Sequence, residues 1–256
     1  MTPPLSSASM IDERPLISSG LVYRLTAGVA VLAGLTIAIT VGGHWLGERI
    51  SLAGHTASTK PVTVMVGEDT LRLGANTIRF PSQRIDGAAE RIDLYLTWPQ
   101  MQGYSEADRL RFDDISQSSP LIFLQISQST MSRDMSGRLE PIYSHLTEGE
   151  AFAGPYGLTG HRLRADAGYS GEVLLTAPRA NQPDYVVRCI LPASPDQATS
   201  GDCQRDVAIG KDLSVLYRFS SNQLKDWRAM DEAVQAFVKA RLVAAPNAGA
   251  RSANDG

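Results

Sequence analysis

The sequence predicts a mainly β fold: a single N-terminal transmembrane helix, then a β-sandwich-like or bent meander domain that ends on an amphipathic helix. Three observations carry this prediction. Residues 25–46, "LTAGVAVLAGLTIAITVGGHWL", hold no Asp, Glu, Lys or Arg. Between residues 61 and 219, short runs rich in β-branched and aromatic side chains are separated by clusters of Gly, Pro, Asn and Asp. From Leu224 to Val238 the apolar residues return every three or four positions, the period of a helix with one buried face.

The apolar run spans roughly 33 Å as a helix at 1.5 Å per residue, enough for the hydrocarbon layer of a bilayer. Trp45 stands where an interfacial aromatic belongs. A cleaved signal peptide has a shorter apolar core, about 7–15 residues, followed by a small-residue cleavage site. The stretch after the run, "GHWLGERISLAGHTAS", offers no such site, so an uncleaved signal anchor is the preferred reading. Positive charge does not orient it, because Arg14 and Arg24 on one side face Arg49 and Lys60 on the other. The short preceding tail and the cysteines discussed below put the N-terminus in the cytoplasm and the large domain in the periplasm. Thr26, Ala30, Gly34, Ala38 and Gly42 form a row of small residues at i+4 spacing, a pattern that lets helices approach closely. About half the run is small residues, so a chance row accounts for it equally well.

The organisation that follows is a disordered cytoplasmic tail (1–24), the transmembrane helix (25–46), a juxtamembrane stalk (47–60), a β-rich domain with its terminal helix (61–243) and a disordered tail (244–256). Within the domain, "PVTVMV" is a strand, and "TLRLGANTIRF" reads as a hairpin turning at Gly74–Asn76. "RIDLYLTW" places Ile92, Leu94, Leu96 and Trp98 on one face at period two. "SEADRLRFDDI" suits a short helix capped by Ser105. "PLIFLQIS" is apolar enough for a buried inner strand. Residues 128–160 are Gly-rich and predict long loops. "HRLRAD", "GEVLLTA", "DYVVRCIL", "CQRDVAIG" and "LSVLYRFS" then follow at meander spacing. A capping box at Ser220 and Gln223 opens the final helix.

The chain has two cysteines, Cys189 and Cys203. Between them lie Pro192, Ser194, Pro195, Asp196, Gly201 and Asp202, which is loop chemistry flanked by two strand-like runs. The spacing is too long for a C-x-x-C redox pair. No histidine pairs with either to begin a zinc site. A structural disulfide is preferred over two buried free thiols, and it implies an oxidising compartment.

Formal net charge is −3, with 27 acidic against 24 basic residues, which argues against a nucleic-acid partner. Known catalytic patterns are missing: "GYSG" falls short of G-x-S-x-G, and H-E-x-x-H and S-x-x-K do not occur. Asp113–Asp114 and Glu148–Glu150 are local carboxylate pairs that suit solvated loops better than acid–base chemistry. No cofactor is implied. In "WPQMQGY", Trp98, Met101 and Tyr104 either anchor a partner or tuck back against the core, the tuck being preferred.

In "VTVMVGEDTLRLGANTIRFPSQRI", "DLYLTWPQMQGYS" and "DYVVRC" the chain resembles an uncharacterised family of proteobacterial single-pass transmembrane anchored proteins. The resemblance covers the anchor and most of the domain. It implies a bacterial inner-membrane setting and brings no site residue with it. The functional expectation is a non-catalytic scaffold or accessory subunit that holds an envelope protein, or a second copy of itself, beside the bilayer. The alternative is a tethered hydrolase acting on cell wall or polysaccharide.

Overall fold

A computed structural model of the chain describes residues 19–51, 54–114 and 120–243. They fall into two units, divided between Leu52 and Ala53. The expected tails, 1–18 and 244–256, lie outside the described residues.

The first unit is helix α1, Ser19–Ser51. Its stretch Val22–Val41 is long and apolar enough to cross a membrane. The helix is longer than the apolar run: residues 19–24, expected in the tail, and 47–51, expected in the stalk, extend it at both ends. Backbone hydrogen bonding continues past the run because nothing from Ser19 to Ser51 is proline. The hydroxyls of Thr26, Thr36 and Thr40 donate to the carbonyls four residues earlier, at 2.8–2.9 Å, so these polar groups are satisfied within the helix. Thr26, Ala30, Gly34 and Ala38 are exposed on it. Gly42 lies outside the residues whose surroundings are described.

The second unit holds two sheets. The smaller has order β2-β1-β3, from β1 (Pro61–Val66), β2 (Asp69–Gly74) and the two-residue β3 (Gly87–Ala88). The larger has eight antiparallel strands: β4 (Arg91–Thr97), β5 (Leu121–Gln128), β6 (Thr147–Ala153), β7 (Thr159–Leu163), β8 (Val173–Arg179), β9 (Gln182–Cys189), β10 (Cys203–Ile209) and β11 (Leu213–Phe219). Their order, β4-β5-β11-β10-β9-β8-β7-β6, is the expected meander from β7 to β11, with β6 added at one end and β5 and β4 at the other. Two helices complete the unit: α2 (Arg109–Asp113), entered through a turn that Ser105 caps from its side chain, and α3 (Trp227–Lys239).

Period-two alternation builds the core. Val62, Val64 and Val66 of β1 and Leu71 and Leu73 of β2 turn inward, as do Ile92, Leu94 and Leu96 of β4. Register places Ile126, Leu124 and Ile122 of β5 opposite the last three, so one continuous face forms. The small sheet, α3 through Met230, Val234 and Val238, and the 3₁₀ turn before it through Leu224 share a single core with that face, giving the sandwich-like arrangement. Each methylene taken from water here contributes about 0.8 kcal/mol.

Both ends of this packing are trimmed. Arg79 donates its N–H to Asp93 O at 2.8 Å, covering the outer edge of β4. Residues after α3 return to β2, where Arg72 N–H meets Arg241 O and Val243 N–H meets Thr70 O, each at 2.8 Å. Covered edges remove unpaired backbone groups that would recruit another strand.

Four local expectations are corrected. The hairpin does not turn at Gly74–Asn76. β2 pairs with β1 through Gly67, whose φ of +57° glycine tolerates, and residues 75–77 form a 3₁₀ turn toward β4. Residues 54–60 are no free stalk: Asn76 N–H donates to Ser58 O at 2.8 Å, Ala75 N–H to Lys60 O at 2.9 Å, and Arg84 Nη1 to Gly54 O at 2.7 Å. The Gly-rich 128–160 region contains β6. Ser220 caps, but its hydroxyl accepts from Asn222 N–H at 3.4 Å, residues 221–226 are 3₁₀, and the α-helix starts only at Trp227.

Candidate functional site

β9 ends on Cys189 and β10 begins on Cys203, and register sets the two directly opposite. They form a disulfide with Cα atoms 4.1 Å apart, fully buried in the core. This closes the loop 190–202 at its base, as the loop chemistry between them predicted. The bond is structural, since neither sulfur reaches solvent.

Two residues further along β10 the same inward face carries Arg205, which is 1 % exposed. A buried guanidinium costs several kcal/mol unless it is paired and hydrogen-bonded. Asp231 of α3 supplies the pair from within the helix's apolar stripe. Its Oδ1 accepts from Arg205 Nε and from the Tyr217 hydroxyl, both at 2.8 Å. Its Oδ2 accepts from Arg179 Nη1 at 2.8 Å and Gln235 Nε2 at 3.1 Å. Arg205 Nη1 donates further to Val186 O at 2.7 Å and Ser136 Oγ at 3.0 Å, and the Tyr185 ring centre lies 4.8 Å from its guanidinium carbon. Burial pushes the Tyr185 and Tyr217 hydroxyls well up, so both stay protonated. Burial opposes the charge on Arg205, but Tyr217 and Asp231 outweigh it and the net shift is upward.

Arg179, Asp231 and Gln235 of this network line a cleft of about 430 Å³. Arg179 and Gln182 wall it on the sheet side, and Arg228, Glu232, Gln235 and Lys239 of α3 on the other. Arg228 lies over the Trp227 ring, 5.0 Å from its centre. Chemically the cleft is suited to holding a charged group. Asp231 has four donors on its two oxygens, and among the described residues no cysteine, serine or histidine lines the cleft.

A second groove, about 530 Å³, runs over the outer face of the large sheet along Gln125, Ser127, Asp206 and Ser214. Asp206 is ion-paired with Arg138. Burial raises its carboxyl above the usual range, with Arg138 opposing. Among the described residues no three His, Cys, Asp or Glu side chains are placed to hold a metal ion.

The third polar cluster lies where a stalk was expected. His55 stacks on Tyr104 with ring centres 4.9 Å apart and is edged by Phe112. His55 Nε2 is 3.1 Å from Asp113 Oδ1 and Nδ1 is 3.0 Å from the Tyr95 hydroxyl. A carboxylate only accepts, so Nε2 carries the proton, and Nδ1 of the neutral ring accepts from Tyr95. Burial lowers the His55 pKa, with Asp113 pulling the other way. Burial pushes Tyr95 up to about 12.

Of the loop read as a possible partner surface, Tyr104 is only 1 % exposed. Trp98 and Met101 are half-buried against the core, and Trp98 Nε1 donates to Asp226 Oδ2 at 3.1 Å. The cluster therefore tucks, because the rings find partners in His55, Phe112 and the core. The chain's buried ionic centre, Arg205 with Asp231, Arg179 and Tyr217, was not anticipated. A signal existed: each of two apolar faces carries one charged residue, Arg205 between Cys203 and Val207, Asp231 beside Met230 and Val234.

No protein-family model and no curated protein matches the chain. Among solved structures it is similar to Smlt3025, an immunity protein of the Stenotrophomonas maltophilia type IV secretion system, at 20 % identity and a TM-score of 0.50, covering 75 % of this chain and 96 % of that one. It is also similar to the iron-regulated outer membrane lipoprotein FrpD of Neisseria meningitidis, at 13 % identity and a TM-score of 0.41, over 72 % of this chain and 95 % of that one. The first likeness is one of fold.

Proposed function

We propose that the chain is a single-pass accessory protein of the bacterial inner membrane, with its N-terminus in the cytoplasm and its β-rich domain in the periplasm, where the domain binds a protein partner and performs no chemistry of its own. One observation carries this reading. Among the described residues the most deeply buried carboxylate of the domain, Asp231, is saturated by Arg205, Arg179, Tyr217 and Gln235, an arrangement that rigidifies a surface cleft and leaves both of its oxygens occupied. The disulfide fits an oxidising compartment, and Val22–Val41 fits an anchor that keeps the domain beside the bilayer. The fold shared with an immunity protein supports partner binding by analogy of architecture.

The alternative hydrolase needs two carboxylates free to act across a substrate. Asp231 and Asp206 are each held by arginine, which weighs against it. Affinity purification of the full chain from membranes in mild detergent tests the proposal. A stoichiometric envelope protein is the expected result; repeated recovery of the chain alone overturns it.

A further inference from the structure

The α3 cleft carries an excess of positive charge. Two guanidiniums, Arg179 in its lining and Arg205 buried behind it, share the one carboxylate of Asp231. Arg205 is 1 % and Arg179 14 % exposed by side chain, so solvent screens the surplus poorly. At the rim Arg228 and Lys239 stand against Glu232 alone. The cleft is thus locally cationic on a chain whose formal net charge is −3. Low-dielectric walls focus such a field and favour an entering anion.

The surroundings match a protein-contact site. Arg179 keeps a fixed direction because its Nε donates to Pro183 O at 2.8 Å while Nη1 holds Asp231. Nη2 reaches Ser136 Oγ at 3.4 Å, so about two of the five N–H groups remain on a pre-oriented planar fork, the donor best matched to a carboxylate. Trp227 and Arg228 are the residue types that dominate binding energy at interfaces. A volume of about 430 Å³ admits one or two side chains.

We infer that this cleft receives an acidic side chain presented by the protein partner, an inference that rests on the partner-binding reading above. The test uses the full chain in mild detergent and a fluorophore-labelled tetraglutamate peptide, followed by anisotropy. Saturable binding is expected. It should fall at least tenfold in the Arg228→Glu/Lys239→Glu variant, two exposed positions whose change leaves the melting temperature in place. Should that variant melt lower, the Arg228→Gln/Lys239→Gln pair replaces it, with the same loss expected. Unlabelled tetraglutamine should not compete. Absence of saturable binding, or equal binding by the variant, overturns the inference. Competition by inorganic phosphate at concentrations where tetraglutamate fails also overturns it and marks a phosphate site. The two proposals fail separately. A partner recovered equally by wild type and variant removes the cleft and keeps the partner; peptide binding without any recoverable partner does the reverse.

Discussion

Arg205 Nε meets Asp231 Oδ1 at 2.8 Å, joining the inner face of β10 to the buried side of α3. Each residue interrupts an otherwise apolar face, and each makes the other tolerable. Removing one partner strands a charge where water cannot reach it. Asp231→Ala is expected to cost about 3–5 kcal/mol of folding stability. Replacing both, as Arg205→Met/Asp231→Leu, should recover part of that loss, because the fully buried charge goes while Arg179 and the Tyr217 hydroxyl still lose their acceptor. Urea unfolding of the full chain in detergent measures both.

The disulfide makes a separate prediction. Cys189 and Cys203 are 14 residues apart, and closing such a loop removes unfolded-state entropy. Cys189→Ser/Cys203→Ser should lower stability by about 3 kcal/mol in the chain-entropy model. Melts of wild type and variant with and without reductant check it: reductant should lower the wild type toward the variant and leave the variant unmoved.

The strands were legible in the sequence because their side chains alternate against a one-sided core, as in "RIDLYLTW" and "LSVLYRFS". The α3 stripe was legible for the same reason at helical period. What escaped was pairing between distant segments. Nothing local in "GHTASTK" says that His55 will lie between Tyr104 and Asp113, since those contacts depend on where β4 and α2 arrive. The 74–76 turn failed likewise: Gly67 and Gly74 both permit a reversal, and only the pairing of Val66 with Asp69 chooses the first. The buried ionic network combines both difficulties, joining a β10 arginine, a β8 arginine and an α3 aspartate separated by up to 52 residues.

Burial depresses the His55 pKa below its ordinary value of 6.5, so the unfolded chain binds the proton more readily than the folded one. Stability is therefore fully present above pH 6.5 and is lost as pH falls through the lowered folded value. Melting temperatures at pH 7.5 and 5.5 should show this fall, and His55→Phe should flatten it. The difference between the two proteins isolates His55 from other titrating groups, including Asp206. Equal slopes in both would place the pH dependence elsewhere.

Tyr104 distinguishes a tucked loop from a contact surface. Its ring stacks on His55, its N–H donates to Asn76 O at 2.9 Å, and its carbonyl accepts from Asn76 Nδ2 at 3.1 Å. Gly103 beside it passes so close to the Asn76 carbonyl that a Cβ there would strike backbone, which fixes the loop's path. Truncating a buried aromatic leaves a void that such a braced site cannot collapse to fill. Tyr104→Ala should cost on the order of 3 kcal/mol, measured by urea unfolding. The same change is expected to leave partner recovery intact at temperatures where the variant is folded. Loss of the partner without loss of stability would instead put Tyr104 at an interface.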